Sequence, residues 1–218
     1  MMTKKRTVLS LIINILIFVI TVCVVISYFF TEPNLLIQNG FDAFRFFTTD
    51  SNVLVAIASV TVAIADIRIL LGKTENLPKA ILMFKFVGTA CVTLTMTATV
   101  GFLMPVYGTF VMQGSLVIVH AITPLMALLS FVFLENVYRI SIPQSLIGTI
   151  PMMIYGLVYA FMVTHHIWDD FYQYDRGGHW LLSAIFMTSG CFVMAIVTAL
   201  LHNLAVKKQK EFLPEQLE

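Results

Sequence analysis

The chain alternates between long apolar stretches and short breaks that hold most of its turn-forming residues. Six stretches are each about 20 residues or longer, the length that a helix needs to cross the hydrocarbon core of a bilayer. The breaks carry residues that end helices, such as Gly72, Pro78 and the pair at 177–178. The pattern predicts one all-helical domain over residues 1–218, with spans at about 7–30, 52–71, 80–105, 114–134, 144–164 and 180–204.

The composition fits an integral membrane protein and excludes several soluble classes. Hydrophobic residues make up 59% of the chain and charged residues 11%, against about 45–50% and about 25% in an ordinary soluble domain. So little charge cannot cover a water-facing surface, which argues against a soluble enzyme, a disordered tail and a nucleic-acid-binding protein. The net charge of +1 gives no long-range field that would attract a charged partner.

The basic residues predict how the helices lie across the membrane. Eleven of the thirteen Lys and Arg residues fall on one side of the predicted spans, and only Arg45 and Arg176 fall on the other. Because basic residues accumulate in cytoplasmic loops, both termini are predicted to be cytoplasmic, in what is expected to be a bacterial plasma membrane. The outer connections are then Thr31–Phe47, Val106–Gln113 and His165–His179.

Most residues with chemical potential lie on the predicted outer side. The segment 48–52 places five polar residues at the start of span two, and His120 lies about six residues into span four, roughly 9 Å below the surface. An ionisable residue inside a span is costly and is a candidate functional residue. His120 is the one histidine predicted to lie well inside a span, and it can act as a base near neutral pH.

Structural roles could account for the same residues. Thr48, Thr49, Asp50 and Ser51 are residue types that cap helix N-termini, and capping alone would explain one or two of them. His120 could instead form a structural hydrogen bond to a neighbouring helix. The threonines in the outer half of span three are expected to be packing residues, because small hydroxyl side chains let membrane helices approach closely.

Asp66 and Lys85 form a second constellation at the predicted cytoplasmic side. Asp66 lies about five residues before the end of span two, and Lys85 about five residues after the start of span three. Since the two spans are antiparallel neighbours, the charges reach a similar depth, and the sequence predicts a structural ion pair that closes the hairpin. A proton or ion path is the alternative, which is weakened because a lysine at this depth can extend to the membrane surface.

The fifth connection offers candidate metal ligands. His165 and Asp169 are four residues apart, as are His166 and Asp170, so each pair would share a face of a continuing helix. His and Asp both bind zinc, and His179 adds another donor, but the spacing matches no standard zinc signature. No metal site is therefore predicted, and the aromatic residues of this segment fit a belt at the membrane interface.

Motifs in several spans resemble those of a known membrane-protein family. Residues 44–52 are similar to the F-R-x-F-T-x-x-S-N segment that opens a span in the family of androgen-induced and androgen-dependent TFPI-regulating proteins. Residues 120–124 resemble the family's H-x-x-x-P pattern in a later span, and the aromatic stretches 151–155 and 168–172 resemble its bacterial branch. The likeness extends over nearly the whole chain and its six predicted spans.

The resemblance implies a hydrolase. Animal members of that family cleave fatty acid esters of hydroxy fatty acids with a threonine nucleophile and a histidine, which correspond here to Thr48 and His120. Counting back from Asn52, the animal spacing selects Thr49 and the bacterial spacing selects Thr48. The local residues fit the bacterial spacing better, so Thr48 is preferred and Thr49 is the alternative nucleophile.

The other parts of such a site remain open at this point. A threonine hydroxyl needs a base to take its proton, and the base needs a group that orients it. Candidates for that role and for oxyanion donors are Asp50, Asn52 and the free backbone amides at the start of span two. Arg45 could bind a substrate carboxylate in bidentate fashion, or it could anchor the chain to lipid phosphate.

Three functional hypotheses follow. The first is an intramembrane hydrolase of lipid esters with Thr48 as nucleophile and His120 as base, which needs no cofactor and takes its substrate from the membrane. The second is a non-catalytic protein that binds or transports a lipid or small molecule in the polar outer region. The third is a metal-dependent intramembrane hydrolase that would use the histidines and aspartates of the fifth connection.

Overall fold

The computed structural model describes residues 3–32 and 39–212, and every regular element in these two ranges is helical. Residues 33–38, which belong to the predicted first outer connection, lie outside the described residues. Six helices are long and apolar enough to cross a membrane, which confirms the predicted all-helical class and indicates an integral membrane protein. They are α1 Lys4–Ser27, α2 Phe47–Leu70, α3 Lys79–Met112, α4 Ser115–Phe133, α5 Ile142–Thr164 and α6 Trp180–Lys208.

Glycine and proline make the breaks between these helices. Gly72 follows α2 with a φ of +70°, and Gly114 precedes α4 with a φ of +56°. Both angles lie in the left-handed region, which glycine adopts without the steric cost of a Cβ atom. Pro78 stands directly before α3, where its missing amide hydrogen leaves no donor unsatisfied. The turn residues in the sequence therefore act where the pattern predicted breaks.

Two of the six helices contain a turn of π-helix, and a proline follows each turn closely. The π turns are Thr99–Leu103 in α3 and Ile118–Ile122 in α4, with Pro105 and Pro124 two residues beyond their ends. A proline inside a helix removes one i to i−4 hydrogen bond, which allows the backbone to widen locally. Such turns are frequent at functional sites, and the second one carries His120.

Helix α3 occupies the centre of the bundle and contacts α2, α4, α5 and α6. Its closest approach is to α2 at Gly88, where a Cβ atom would lie 2.8 Å from the Cα atom of Val55. A second close approach is at Gly148 of α5, where a Cβ atom would lie 2.9 Å from the ring of Phe86. Small residues thus let the helices pack at short distances, as is common in membrane bundles.

The outer surface of the bundle is apolar, and the start of α1 and the last turns of α6 lie at one end of it. Leu157 and Phe186 are 70% and 76% exposed, which suits contact with lipid rather than water. The Arg6 guanidinium donates to the Leu134 carbonyl at 2.7 Å, and His202 bonds to the Tyr138 carbonyl nearby. We call this the termini end and the opposite one the Thr48 end; the side of the membrane that each faces stays a prediction.

Candidate active site

The first turn of α2 carries the polar segment that the sequence singled out. A 3₁₀ helix, Gly40–Arg45, leads into Phe46, whose extended backbone (φ −103°, ψ 128°) turns the chain into α2. The N-cap residue is thus Phe46, which has no side-chain oxygen to offer the helix. The helix begins at Phe47, five residues before the predicted start of this span. Thr48 and Thr49 therefore lie inside the first turn, and neither occupies the capping position.

Thr48 and His120 meet at the Thr48 end of the bundle. The Thr48 hydroxyl oxygen Oγ1 lies 3.2 Å from the ring nitrogen Nε2 of His120, although 72 positions separate the two residues in the sequence. Both side chains are buried, with exposed fractions of 9% and 6%. A hydroxyl within hydrogen-bond distance of an imidazole is the arrangement that activates a serine or threonine nucleophile.

The contact of the second ring nitrogen of His120 shows which of the two nitrogens carries the hydrogen. Nδ1 lies 2.7 Å from the backbone carbonyl of Val111. A carbonyl only accepts, so Nδ1 carries the hydrogen of the neutral ring and donates it to Val111. Nε2 is then the acceptor, and the Thr48 hydroxyl donates to it. The Val111 carbonyl therefore does what the aspartate does in a Ser-His-Asp triad, since it fixes the tautomer and the ring orientation.

Asn52 ties α2 to the π turn that carries His120. Its side-chain amide nitrogen donates to the Thr48 carbonyl at 2.8 Å and to the Val119 carbonyl at 3.0 Å. Both amide hydrogens are thereby used. Asn52 therefore holds α2 and the π turn together, and it has no hydrogen left to donate to an oxyanion. Its oxygen Oδ1 has no hydrogen-bond partner among the described residues.

The two adjacent threonines face different neighbours. Thr49 is buried, and its hydroxyl lies beside Tyr28, whose hydroxyl interacts with it. Burial raises the pKa of Tyr28 to about 12, with the Thr49 hydroxyl opposing that rise. Both threonines line the same cavity, but it is Thr48 that bonds to the histidine. The geometry favours Thr48 as the nucleophile.

Asp50 and Ser51 lie beside Thr48 but do not bond to His120. Asp50 lines an apolar groove between α2 and α5, so it does not orient His120, whose Nδ1 is taken by Val111. The Ser51 hydroxyl forms a 2.9 Å hydrogen bond with the Thr95 hydroxyl of α3. The orienting role predicted for Asp50 therefore falls to a backbone carbonyl, which no residue type could have indicated.

A small cavity of about 20 Å³ adjoins Thr48 and His120, which we call the catalytic pair for the role proposed below. Thr48, Thr49 and His120 line one part of it, and Tyr28 and Phe171 line another. A cavity of this size accommodates one water molecule, provided that polar groups are available to bond it. The hydroxyls and the imidazole supply such groups, so the site has room for a single water molecule.

The fifth connection covers this cavity from the Thr48 end. Phe171 stacks on Tyr107, with ring centroids 5.0 Å apart and an angle of 4°, and its carbonyl accepts from the Tyr107 hydroxyl at 2.8 Å. Asp170 pins the loop, because its carboxylate accepts from the Tyr159 hydroxyl and from the backbone amides of residues 174 and 175. The loop therefore closes the site against water rather than presenting an open metal-binding face.

Tyr172 brings another hydroxyl to the catalytic pair. Its side chain lies beside the Tyr155 hydroxyl, the Phe47 backbone and the Thr48 hydroxyl. Burial raises the pKa of Tyr172 to about 12, with those three neighbours opposing the rise. The Tyr172 hydroxyl stays protonated at neutral pH and can donate a hydrogen bond close to Thr48. The sequence places this tyrosine in the interfacial belt and in the aromatic stretch 168–172, and it predicts no role for Tyr172 at the site.

Arg45 lies at the rim of the site. Its guanidinium carbon is 5.6 Å from the centroid of the Trp168 ring, a cation–π distance. Its backbone carbonyl accepts from the Tyr155 hydroxyl at 2.7 Å. The side chain is only half-buried, so its remaining N–H groups can reach a ligand at the Thr48 end.

The candidate metal ligands of the fifth connection do not converge. His165, His166, Asp169 and His179 are all exposed, and His165 stacks on Phe161. Within residues 3–32 and 39–212, no three His, Cys, Asp or Glu side chains are arranged to hold a metal ion. This arrangement gives the metal-dependent hypothesis no site among the described residues.

A second polar region lies inside the bundle toward the termini end. The Lys85 ammonium donates to Asn14 Oδ1 and to Ser59 Oγ, each at 2.7 Å. The Asn14 amide nitrogen donates to Glu135 Oε1 at 2.8 Å, and Ser130 donates to the same oxygen. All five side chains are completely buried. We call this set, together with Arg6 and Asp66, the charge cluster.

Asp66 and Lys85 lie in the same buried cluster, but Lys85 forms its hydrogen bonds with other side chains. Lys85 bonds to neutral oxygens on α1 and α2, and neither carboxylate oxygen of Asp66 has a hydrogen-bond partner among the described residues. Asp66 lies within electrostatic reach of Lys85, Arg6 and Glu135. Asp66 and Lys85 therefore belong to a cluster of two basic and two acidic side chains. Helix α1 and Glu135 supply neighbours that the hairpin of α2 and α3 does not contain.

Several buried polar residues in or beside the charge cluster are not predicted by the sequence pattern. Ser10 and Asn14 are four residues apart in α1 and so share one helix face, which is the pattern that could have revealed a buried polar stripe. Glu135 follows α4 directly and gave no comparable signal. His202 of α6 is also fully buried, contrary to the expectation that His120 alone lies deep, and it bonds to backbone carbonyls at 131 and 138.

An apolar layer separates the two polar regions. Ile17, Val55, Val92 and Ala127 come from α1, α2, α3 and α4, pack together, and are each 0% exposed. Along these helices the layer lies between the Thr48 end and the charge cluster. The layer places apolar side chains between the Thr48–His120 contact and the charged groups of the cluster.

The chain was compared with protein-family models, with curated proteins and with solved structures, and nothing matched in any of the three. The six helices define the class, an integral membrane protein of helical type.

Proposed function

We propose that this protein is an intramembrane hydrolase of lipid esters, of the type in which a fatty acid is esterified to a hydroxy fatty acid. Thr48 is the nucleophile and His120 is the base. The observation that carries the proposal is the 3.2 Å contact of Thr48 Oγ1 with His120 Nε2, together with the Val111 carbonyl that leaves Nε2 as the acceptor.

The first half of the reaction forms an ester on the protein. Thr48 Oγ1 attacks the ester carbonyl carbon while its proton passes to His120 Nε2. The carbonyl oxygen becomes an oxyanion, for which the Tyr172 hydroxyl is a donor close to Thr48, whereas the amides of Thr49 and Asp50 already donate to the Phe46 carbonyl. When the tetrahedral intermediate collapses, the alcohol leaves with the proton from His120, and the acyl group stays on Thr48.

The second half releases the acid. A water molecule gives a proton to His120 Nε2 and attacks the acyl carbonyl, and Thr48 leaves with that proton. The cavity of about 20 Å³ beside the pair has room for one such water. The atoms balance as one ester and one water in, and one alcohol and one carboxylic acid out.

The surroundings support a lipid substrate taken from the membrane. The helices that carry the pair are apolar on their outer surfaces, and Arg45 offers a guanidinium that matches a carboxylate such as the free end of a hydroxy fatty acid ester. We include in the proposal a bacterial plasma membrane with cytoplasmic termini, which the distribution of Lys and Arg supports. Reporter fusions at each terminus test that orientation.

Purified protein in lipid nanodiscs tests the proposal directly. Wild-type protein should hydrolyse a fatty acid ester of a hydroxy fatty acid, Thr48→Ala should abolish turnover, and Thr48→Ser should retain part of it. Thr49→Val is the matched control, since it removes the adjacent hydroxyl that contacts Tyr28. Equal turnover by the wild type and Thr48→Ala would overturn the assignment.

A non-catalytic lipid-binding or transport protein is the second candidate. The closed state of the site favours it, because a cavity for one water beside Thr48 cannot hold an ester until the covering loop moves. This alternative predicts that Thr48→Ala leaves lipid binding and cellular function intact, whereas residues that fill the binding region abolish both.

A further inference from the structure

A groove of about 360 Å³ lies between α2 and α5 on the other side of the first turn of α2 from the catalytic pair. Phe47 and Leu54 of α2 line one wall, Ile154 and Val158 of α5 line the other, and Trp168 closes the Thr48 end. Ile154 is 59% exposed and Val158 is 42% exposed. The groove therefore opens sideways toward the surface that faces lipid.

The groove is close to the reacting atoms. The rings of Phe47 and Tyr155 pack with centroids 5.0 Å apart, and the Tyr155 hydroxyl donates to the Arg45 carbonyl. Tyr172 bridges the two sides, because its hydroxyl lies near both Tyr155 and Thr48. Only aromatic side chains thus stand between an occupant of the groove and the nucleophile.

The two ends of the groove differ in chemistry. Toward the middle of the bundle its walls are apolar, and from Phe47 to Leu54 it follows α2 for about 10 Å. At the Thr48 end the guanidinium of Arg45 lies over the Trp168 ring, while Asp50 contributes a carboxyl group to the wall. Arg45 does not itself line the groove, but its guanidinium lies over the tryptophan at the Thr48 end, where it can pair with the carboxylate of a single chain that fills the apolar slot.

We propose that this groove binds one fatty acyl chain with its carboxylate at Arg45. The volume lies at the lower end of the range of small-molecule sites, which favours a single-chain carboxylic acid over a two-chain phospholipid. The inference rests on the proposed function in one respect, since it assigns the groove to the hydroxy fatty acid portion of the ester, which keeps a free carboxylate, or to a released fatty acid. Binding itself requires no chemistry at Thr48.

Tryptophan fluorescence tests the proposal without relying on hydrolysis. The chain has two tryptophans, so Trp180→Phe leaves Trp168, which lines the groove, as the single reporter. A long-chain fatty acid brominated on its chain is added to this protein in nanodiscs of unbrominated phosphatidylcholine. The proposal expects saturable quenching of Trp168, and the same quenching when Thr48→Ala is added to the background.

Matched variants assign the quenching to the groove. Val158→Phe and, independently, Leu54→Phe fill the slot and should each weaken binding about tenfold, a loss of about 1.4 kcal/mol. Leu157→Phe adds the same ring on the adjacent lipid-facing position, which is 70% exposed, and should change nothing. Arg45→Gln should weaken binding of the acid about tenfold and leave binding of its methyl ester unchanged.

Three results would overturn the proposal. Quenching that rises linearly without saturation, quenching that Val158→Phe and Leu54→Phe leave unchanged, or equal quenching by a brominated phosphatidylcholine would each show ordinary contact with bulk lipid. Saturable binding in a protein that hydrolyses no ester would instead keep the groove and remove the proposed hydrolase function, so the two failures are distinguishable.

Discussion

The two polar regions of this bundle are both buried but are built from different chemistry. At the Thr48 end, neutral groups form a directed chain from the Thr48 hydroxyl through the His120 ring to the Val111 carbonyl. In the charge cluster, Lys85 and Glu135 are joined through Asn14. Neutral groups are far less costly to bury than charges, and they can pass a proton without leaving an isolated ion.

The difference indicates a division of labour. A buried charge is tolerated only when opposite charges and hydrogen bonds surround it, so the charge cluster fastens several helices to one another. The Thr48 end has a cavity beside the Thr48 hydroxyl, which has one hydrogen to donate. With the apolar layer between them, the two regions should respond to mutation independently.

The largest expected effect is the loss of activity in Thr48→Ala. Removing the nucleophile of a covalent mechanism should lower the turnover of a lipid ester by about 10⁴-fold or more. The free energy of unfolding should change little, because the site is uncharged and the cavity lies beside it. Parallel kinetic assays and denaturant unfolding in detergent measure both; a large loss of stability here would make the Thr48 end structural.

Next in size is the loss of stability in Lys85→Met. Removing one partner of a buried ionic cluster leaves the carboxylates uncompensated and should lower the free energy of unfolding by about 3–5 kcal/mol. The folded fraction should keep its turnover, since the apolar layer separates it from the catalytic pair. Lys79→Met, at an exposed position of the same helix, is the control. If Lys85→Met lost turnover while its stability stayed unchanged, the charge cluster would contribute to activity, and the two regions would not be independent.

A smaller effect is expected where the apolar layer meets α3. Gly88→Ala places a Cβ atom 2.8 Å from the Val55 Cα atom, and forcing two backbones apart should reduce stability by about 1–3 kcal/mol. Gly101→Ala in the same helix has open space around the added carbon and should be neutral or slightly stabilising. Thermal unfolding compares the pair. Equal stability of the two variants would mean that α2 and α3 are less closely packed.

The smallest effect is expected from Thr49→Val. The variant removes the hydroxyl that faces Tyr28 while it keeps the shape of the side chain, and should lower stability by about 1 kcal/mol. Turnover should stay within about threefold of wild type, because a single neutral hydrogen bond beside the pair contributes no more than that. A loss as large as that of Thr48→Ala would transfer the nucleophile to Thr49.

The apolar pattern was sufficient to predict the six helices, because the bilayer length sets how long each apolar stretch has to be. It was less informative about where α2 begins. The span is predicted to begin at about residue 52, after the polar residues 48–51, but Phe46 starts the helix by its backbone conformation alone. Tertiary contacts, and not local composition, decided that Thr48 faces His120.

The site shows the same limit. Thr48 and His120 were named from residue type and motif, but their 3.2 Å contact joins helices that are remote in sequence. The Val111 carbonyl could not have been predicted, since every residue carries one. The partners of Lys85 were mistaken because pairing of charges was argued along one hairpin, whereas Asn14 reaches in from a third helix.

Covalent labelling of Thr48 tests the central claim most directly. Wild-type protein in nanodiscs is treated with a fluorophosphonate, digested and analysed by mass spectrometry, with Thr48→Ala and Thr49→Val treated in parallel. The account predicts one phosphonate adduct located on Thr48, absent from Thr48→Ala and retained in Thr49→Val, and weakened when His120 is changed to Ala. An unlabelled wild-type protein that also cleaves no lipid ester would contradict it.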